Sequence, residues 1–245
     1  MSSKNTSNLL DIINKVQSRK LKVPNNYDAL LNHLRKVEGG RLHRNPKESD
    51  VTTGYGIYRG KHNKSVLMME YLDRQAHSIG ITSPSRKWTK REIRAVNATL
   101  NHEIEQYLTY LFYNKFLKGA RIEKFRPSMA VVIASLYTSS PKGTWLSVQE
   151  GLQDMCKARI LKLPLTALSA LDGKYGTKTE NALKVLDDNI HEATINEQHL
   201  MDMVFRRSVL LAMKSFYTRL IVADFPKYGR YAKGWDKRVE YLEHV

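Results

Sequence analysis

Apolar positions recur at helical spacing along most of the chain. Between Tyr27 and Val37, the residues Leu30, Leu34 and Val37 mark one stripe, and Leu31 widens it. This is the pattern of an amphipathic helix. Gly39 and Gly40 come next, and glycine takes the left-handed cap that ends a helix without steric cost. Leu9, Ile13 and Val16 predict another amphipathic helix within residues 1–24, ahead of a basic turn. Such a helix docks on the body or faces a membrane surface, and docking is the expectation. The run "MAVVIASLY" after Pro127 is apolar nearly all round and predicts a core helix through Tyr137, ended by "SSPKG". A long helix is expected over 199–224, carrying Leu200, Val204, Leu211, Phe216 and Leu220, then the breaker "DFPKYGRY" and a short tail helix.

Three Ser/Thr-x-x-Glu pairs are read as capping boxes: Thr89 with Glu92, Ser147 with Glu150, and Thr177 with Glu180. Hydroxyl and carboxylate reciprocally satisfy free amides at a helix start, so helices are expected to begin near 90, 148 and 178. Only 51–58 alternates like a strand, with Val51, Thr53, Tyr55 and Ile57 in step. The predicted fold is mainly α with one small β-hairpin. The stretch "KLPLTALSALDGKYGTKT" (162–179) combines a proline, two glycines and a new helix start, the signature of a junction. The expected organisation is an N-terminal extension over 1–24, a main domain over 25–165 and a helical subdomain over 166–245.

Composition narrows the function classes. The 245 residues carry 40 Lys and Arg against 24 Asp and Glu, a formal charge of +16, which favours a polyanionic partner such as nucleic acid, anionic lipid or a negatively charged cell envelope. The basic residues are spread along the chain rather than gathered in one arm. The longest apolar stretch, 129–137, is too short to span a bilayer, and the first residues show no secretory signal. The single cysteine, Cys156, excludes an internal disulfide framework and reads as a buried structural thiol on a helix. The eight histidines show no paired ligand spacing, so no metal and no cofactor is expected.

The segment "VEGGRLHRNPKESDVTTGYGIYRG" (37–60) carries the candidate chemistry. A carboxylate on Glu38 at the end of a helix sits near the negative end of the helix dipole, which disfavours ionisation. An acid still protonated near neutral pH suits protonation of a glycosidic oxygen. Glu48 or Asp50 can supply a second carboxylate and Thr53 a hydroxyl to orient water. Tyr55, Tyr58 and Trp88 offer rings for stacking on sugars or for packing, with packing the stronger reading for Trp88. The local pattern of Glu38 equally fits a solvated surface glutamate.

The same residues carry a family resemblance. "EGGRLHRNPKESDVTTGYGI" resembles the opening motif of the phage-type N-acetylmuramidases of glycoside hydrolase family 108, in which Glu-Gly-Gly precedes a loop and then Asp-x-Gly-Gly-x-Thr-x-Tyr-Gly-Ile. Three later stretches are similar to that family in the same order: "KFRPSMAVVIASLYTSSPKGTWLSVQEGLQ" (124–153), "LDGKYGTKTENAL" (171–183) and "FYTRLIVADFPKYGRYAKGWDKRV" (216–239). The resemblance covers residues 26 to 240. It implies a lysozyme-like helical domain with a peptidoglycan-binding-like C-terminal region, Glu38 as general acid, Glu48 at the loop-aspartate position, and Thr53 as the motif threonine. The family's Gly-Gly pair is replaced around Asp50-Val51, which leaves Glu48 and Asp50 both open as the second carboxylate.

The resemblance leads to the expectation of a peptidoglycan hydrolase that cleaves between N-acetylmuramic acid and N-acetylglucosamine, an endolysin or virion-associated enzyme. It would be made in the host cytoplasm without a signal peptide, delivered by a holin or a virion, and active on the periplasmic cell wall. The expected partner is bacterial peptidoglycan, with no nucleic acid. The alternatives are a non-catalytic peptidoglycan-binding or structural phage protein, a lytic transglycosylase, and, last, a basic nucleic-acid-binding protein.

Overall fold

The computed structural model describes residues 3–37, 40–44, 51–55, 57, 66–163 and 171–243. It is mainly helical, with eleven α-helices and one two-stranded antiparallel sheet among the described residues. The chain forms two compact units, Met1–Lys118 and Gly119–Val245.

The first unit contains α1 (Ser3–Gln17), α2 (Asn25–Val37), β1 (His43–Arg44), β2 (Val51–Thr52), α3 (Val66–Ser78), α4 (Lys90–Thr99) and α5 (His102–Phe116). Helix α1 packs against α3 and α5, burying Leu9, Ile12 and Val16. Residues 1–24 are therefore not a separate extension, and Ile12 rather than Ile13 completes the inward stripe. Helix α2 presents Tyr27, Leu30 and Leu31 to the core and packs on α5. The capping box at Thr89 forms as expected: its Oγ1 accepts from Glu92 N at 3.2 Å while Glu92 Oε2 accepts from Thr89 N at 2.6 Å. That reciprocal pair holds the Glu92 carboxyl below the usual range and sets the start of α4.

The second unit contains α6 (Pro127–Tyr137), α7 (Pro141–Lys157), α8 (Thr177–Glu192), α9 (Ile195–Ala223), the short α10 (Phe225–Tyr228) and α11 (Ala232–Glu243). Helix α6 buries every residue from Met129 to Leu136, the core helix its composition predicts. Helix α7 packs most extensively on α9. At Gly151 a Cβ would stand 3.1 Å from Val209 Cγ2 and 3.2 Å from Val209 N, so this glycine lets the two helices approach. Trp235 of α11 stacks on Tyr217 of α9, ring centroids 4.4 Å apart.

Three expectations are corrected. The division falls at 118/119 and not at 165/166, because α7 and α8 both pack on α9. Ser147 does not start a helix: α7 begins at Pro141 behind Ser140, whose Oγ accepts from Gly143 N at 3.1 Å. Among the described residues the 51–58 alternation yields only a two-residue strand, Val51–Thr52, since Thr53 N–H turns back to donate to Ile57 O.

Candidate active site

Two stretches of the 37–60 segment, Gly40–Arg41 and Gly54, meet in space. Gly40 adopts φ +67° after α2, the left-handed conformation glycine favours. The chain then runs into β1, which pairs with β2 in the register His43 to Thr52 and Arg44 to Val51. Gly54 lies against the Gly40–Arg41 peptide: a Cβ there would stand 2.6 Å from Arg41 N. The sequence places glycine on both sides of this contact, and only glycine lets the two backbones approach so closely.

Thr53 holds the turn after β2. It is fully buried. Its Oγ1 accepts from Tyr55 N at 3.3 Å and from Ile57 N at 3.1 Å, and its own N–H donates to Ile57 O at 2.8 Å. A hydroxyl engaged by two amides and closed off from solvent shapes the backbone rather than orienting a water. Tyr55 is 1% exposed. Its carbonyl accepts from Tyr113 Oη at 3.1 Å, and its hydroxyl lies 3.3 Å from His102 Nδ1. Burial, with Glu105 adding to it, pushes the Tyr55 phenol far up. This ring belongs to the core and has no free face for a sugar. Trp88 is likewise buried, with Nε1 donating to Ser83 O at 2.8 Å. Glu38, Glu48, Asp50 and Tyr58 lie outside the described residues.

Beside this turn lies a cleft of about 750 Å³, within the size range of small-molecule and oligomer sites. Arg35 of α2 and the stretch Gly40–Arg44 form one side; Lys90, Arg94 and Asn97 of α4 form another; His102 and Glu105 of α5 complete it. Asn97 fixes the first wall to the second, its Oδ1 accepting from Leu42 N at 2.9 Å and its Nδ2 donating to Leu42 O at 2.8 Å. Arg44 turns its guanidinium onto the carbonyls of Arg86, Ser85 and Trp88 at 3.0, 3.3 and 2.8 Å.

Glu105 is the one carboxylate among the described residues lining the cleft. It is 7% exposed, and none of the described residues donates a hydrogen bond to its side chain. Burial pushes its carboxyl up to about 7, with the Arg35 guanidinium pulling part of the way back. Arg35 Nη1 lies 3.0 and 2.9 Å from the two ring nitrogens of His102. Burial and then Arg35 lower the His102 pKa, so that ring is neutral at neutral pH. The cleft therefore combines an acid that is about half protonated near neutral pH with a rim rich in fixed positive charge. That combination can hold an anionic ligand beside a proton donor.

Glu105 was not singled out from sequence. Its signal is positional: with Ile104, Leu108, Thr109 and Phe112 it lies on the buried face of α5, where a lone carboxylate is unusual.

Among the described residues no group of three His, Cys, Asp or Glu is placed to hold a metal ion, and no described helix is long and apolar enough to cross a membrane. Cys156 is buried, and burial pushes its thiol up. Comparison with protein-family models, with curated protein sequences and with solved structures returned no match. The family resemblance therefore rests on the quoted motifs themselves.

Proposed function

We propose that the protein is a peptidoglycan hydrolase, an N-acetylmuramidase whose first unit carries the active site. The observation that supports this most is the position of the cleft. Glu38 stands in the sequence between Arg35 and Gly40, and both of these line it. The motif that suggests glycoside hydrolysis thus borders a large cleft of this unit.

In this reading Glu38 protonates the oxygen between N-acetylmuramic acid and N-acetylglucosamine as the C1–O bond breaks through an oxocarbenium-like transition state. Water then attacks C1, with Glu48 or Asp50 as the carboxylate that takes its proton. Thr53 contributes by holding the turn rather than by touching water. The excess of basic residues concentrates the enzyme on an anionic wall, and a holin or virion delivers it there.

The test is release of reducing sugar from purified peptidoglycan by the wild type and by Glu38→Gln. Release by the wild type alone supports the reading. Equal release by both proteins removes Glu38 from the mechanism, and release by neither leaves a wall-binding protein without hydrolytic activity.

A further inference from the structure

The cleft carries more positive charge than its internal contacts use. Arg44 is held by three backbone carbonyls, and Arg35 is engaged with His102. Arg41, Lys90 and Arg94 also line the cleft, are exposed, and pair with no carboxylate among the described residues. Three exposed cations on one rim raise the local concentration of an anion and select for negative charge. A buried carboxyl in the same cleft works against them whenever it is ionised, because desolvation strengthens its field.

We propose that this cleft is an anion site for a carboxylate-bearing glycan strand, gripped by Arg41, Lys90 and Arg94, with Glu105 controlling by its own protonation whether the strand binds. The inference rests on the hydrolase reading only for the choice of a glycan. A nucleic acid is the less favoured occupant, since among the described residues no Phe, Tyr or Trp lines the cleft and single strands are held by stacking on such rings.

The groups around Glu105 leave it as the switch. Arg35 faces it from α2, Tyr71 from α3, Tyr55 from the turn after β2, and His102 from its own helix. Lys90 and Arg94 of α4 share the cleft, and Asp28 of α2 acts on both Tyr55 and His102. The phenols of Tyr55 and Tyr71 are pushed up by burial, and the His102 ring is pushed down. Burial thus moves the two phenols and the imidazole away from the range near neutral pH in which Glu105, pushed up to about 7, changes charge. An anion that binds only the protonated cleft loses affinity above pH 7 in proportion to the protonated fraction, about 10-fold by about pH 8.

The experiment is calorimetric titration of the full chain with tetragalacturonate, a carboxylated glycan lacking the muramidase linkage, at about pH 5.5 and about pH 8. Neutral chitotetraose and octathymidylate serve as the other ligands. The expected result is binding of tetragalacturonate in acid and about 10-fold weaker binding at the higher pH. Glu105→Gln is expected to bind at the higher pH as the wild type does in acid. A Lys90→Glu, Arg94→Glu double variant, changed only at exposed positions, is expected to bind at least about 10-fold more weakly.

Equal affinity for chitotetraose overturns the anion selectivity. A pH dependence that survives in Glu105→Gln assigns the switch to the histidines and overturns the role of Glu105. Tighter binding of octathymidylate than of either glycan makes the ligand a nucleic acid. If Glu105→Gln does not fold, Glu105→Leu takes its place in the pH comparison, the double variant decides the anion site, and equal wild-type affinity at the two pH values overturns the switch. Peptidoglycan cleavage without tetragalacturonate binding removes this site and leaves the hydrolase reading, while binding without cleavage does the reverse.

Discussion

Replacing Glu105 by glutamine keeps the shape of the side chain and removes its titration. The carboxyl is 7% exposed and its pKa rises from 4.5 to about 7 on folding. Below pH 4.5 both folded and unfolded chains hold the proton, and the group contributes nothing to the pH dependence. Between 4.5 and 7 the folded chain keeps a proton that the unfolded chain has lost, so stability falls as pH rises. Above 7 the penalty is complete. At about 1.4 kcal/mol per pH unit it amounts to about 3 kcal/mol. The assay is urea denaturation of wild type and Glu105→Gln across this range, read as the variant-minus-wild-type difference, in which other titrating groups cancel. That difference should be near its minimum at about pH 5 and grow by about 2–3 kcal/mol in favour of the variant by about pH 8. A flat difference, or one favouring the wild type at high pH, refutes burial as the cause of the raised Glu105 pKa.

Substitutions at three further positions probe the supports of the two units. Thr53→Val should lower stability by about 2 kcal/mol in chemical denaturation, because two buried amides lose their acceptor, while Thr53→Ser should retain most of it. Gly54→Ala should cost about 1–3 kcal/mol by forcing a Cβ into the Gly40–Arg41 peptide, and amide exchange should rise at residues 40–44. In the second unit Gln149, 2% exposed, donates to Asp172 Oδ1 at 2.9 Å and Thr179 Oγ1 at 3.0 Å and accepts from Gly173 N at 3.0 Å. Gln149→Leu should therefore cost about 2–3 kcal/mol and expose the 171–179 turn to proteolysis, whereas wild-type cleavage there at the same rate would show that the turn holds itself.

Most helices were legible because local signals agreed. At Thr89 the capping box sits directly before an apolar stripe, and at Pro127 a first-turn proline precedes a continuous apolar run. Ser147 shows how the same signal misleads. The Ser-x-x-Glu spacing arises by chance within any helix, and here Ser147 is 1% exposed with its hydroxyl donating to Met213 Sδ at 3.4 Å. The helix start was set instead by Ser140 and Pro141. Thr194 and Glu197 form a capping box that the apolar stripe alone would place inside the preceding loop, and α9 begins four residues before the expected 199.

At the site, Thr53, Tyr55 and Ile57 alternate as in a strand. All three are buried because the turn folds them inward together, and that depends on the close Gly54 contact across the chain. Glu105 could not be assigned to a cleft from its own helix, since the rim comes from α2, the Gly40–Arg44 stretch and α4. The boundary at 118/119 was masked for a similar reason. The glycine and proline signals of 162–179 are strong locally, but the packing of α7 on α9 joins what lies on either side of them.

The central claim is hydrolysis of a wall glycan by the first unit. Its most direct test is to digest purified peptidoglycan, reduce the products with borohydride and identify the new sugar ends by mass spectrometry. Reduced muramic acid ends from the wild type, absent with Glu38→Gln, are the predicted result. Anhydro-muramic ends, reduced glucosamine ends, or polymer left intact by the wild type would contradict it.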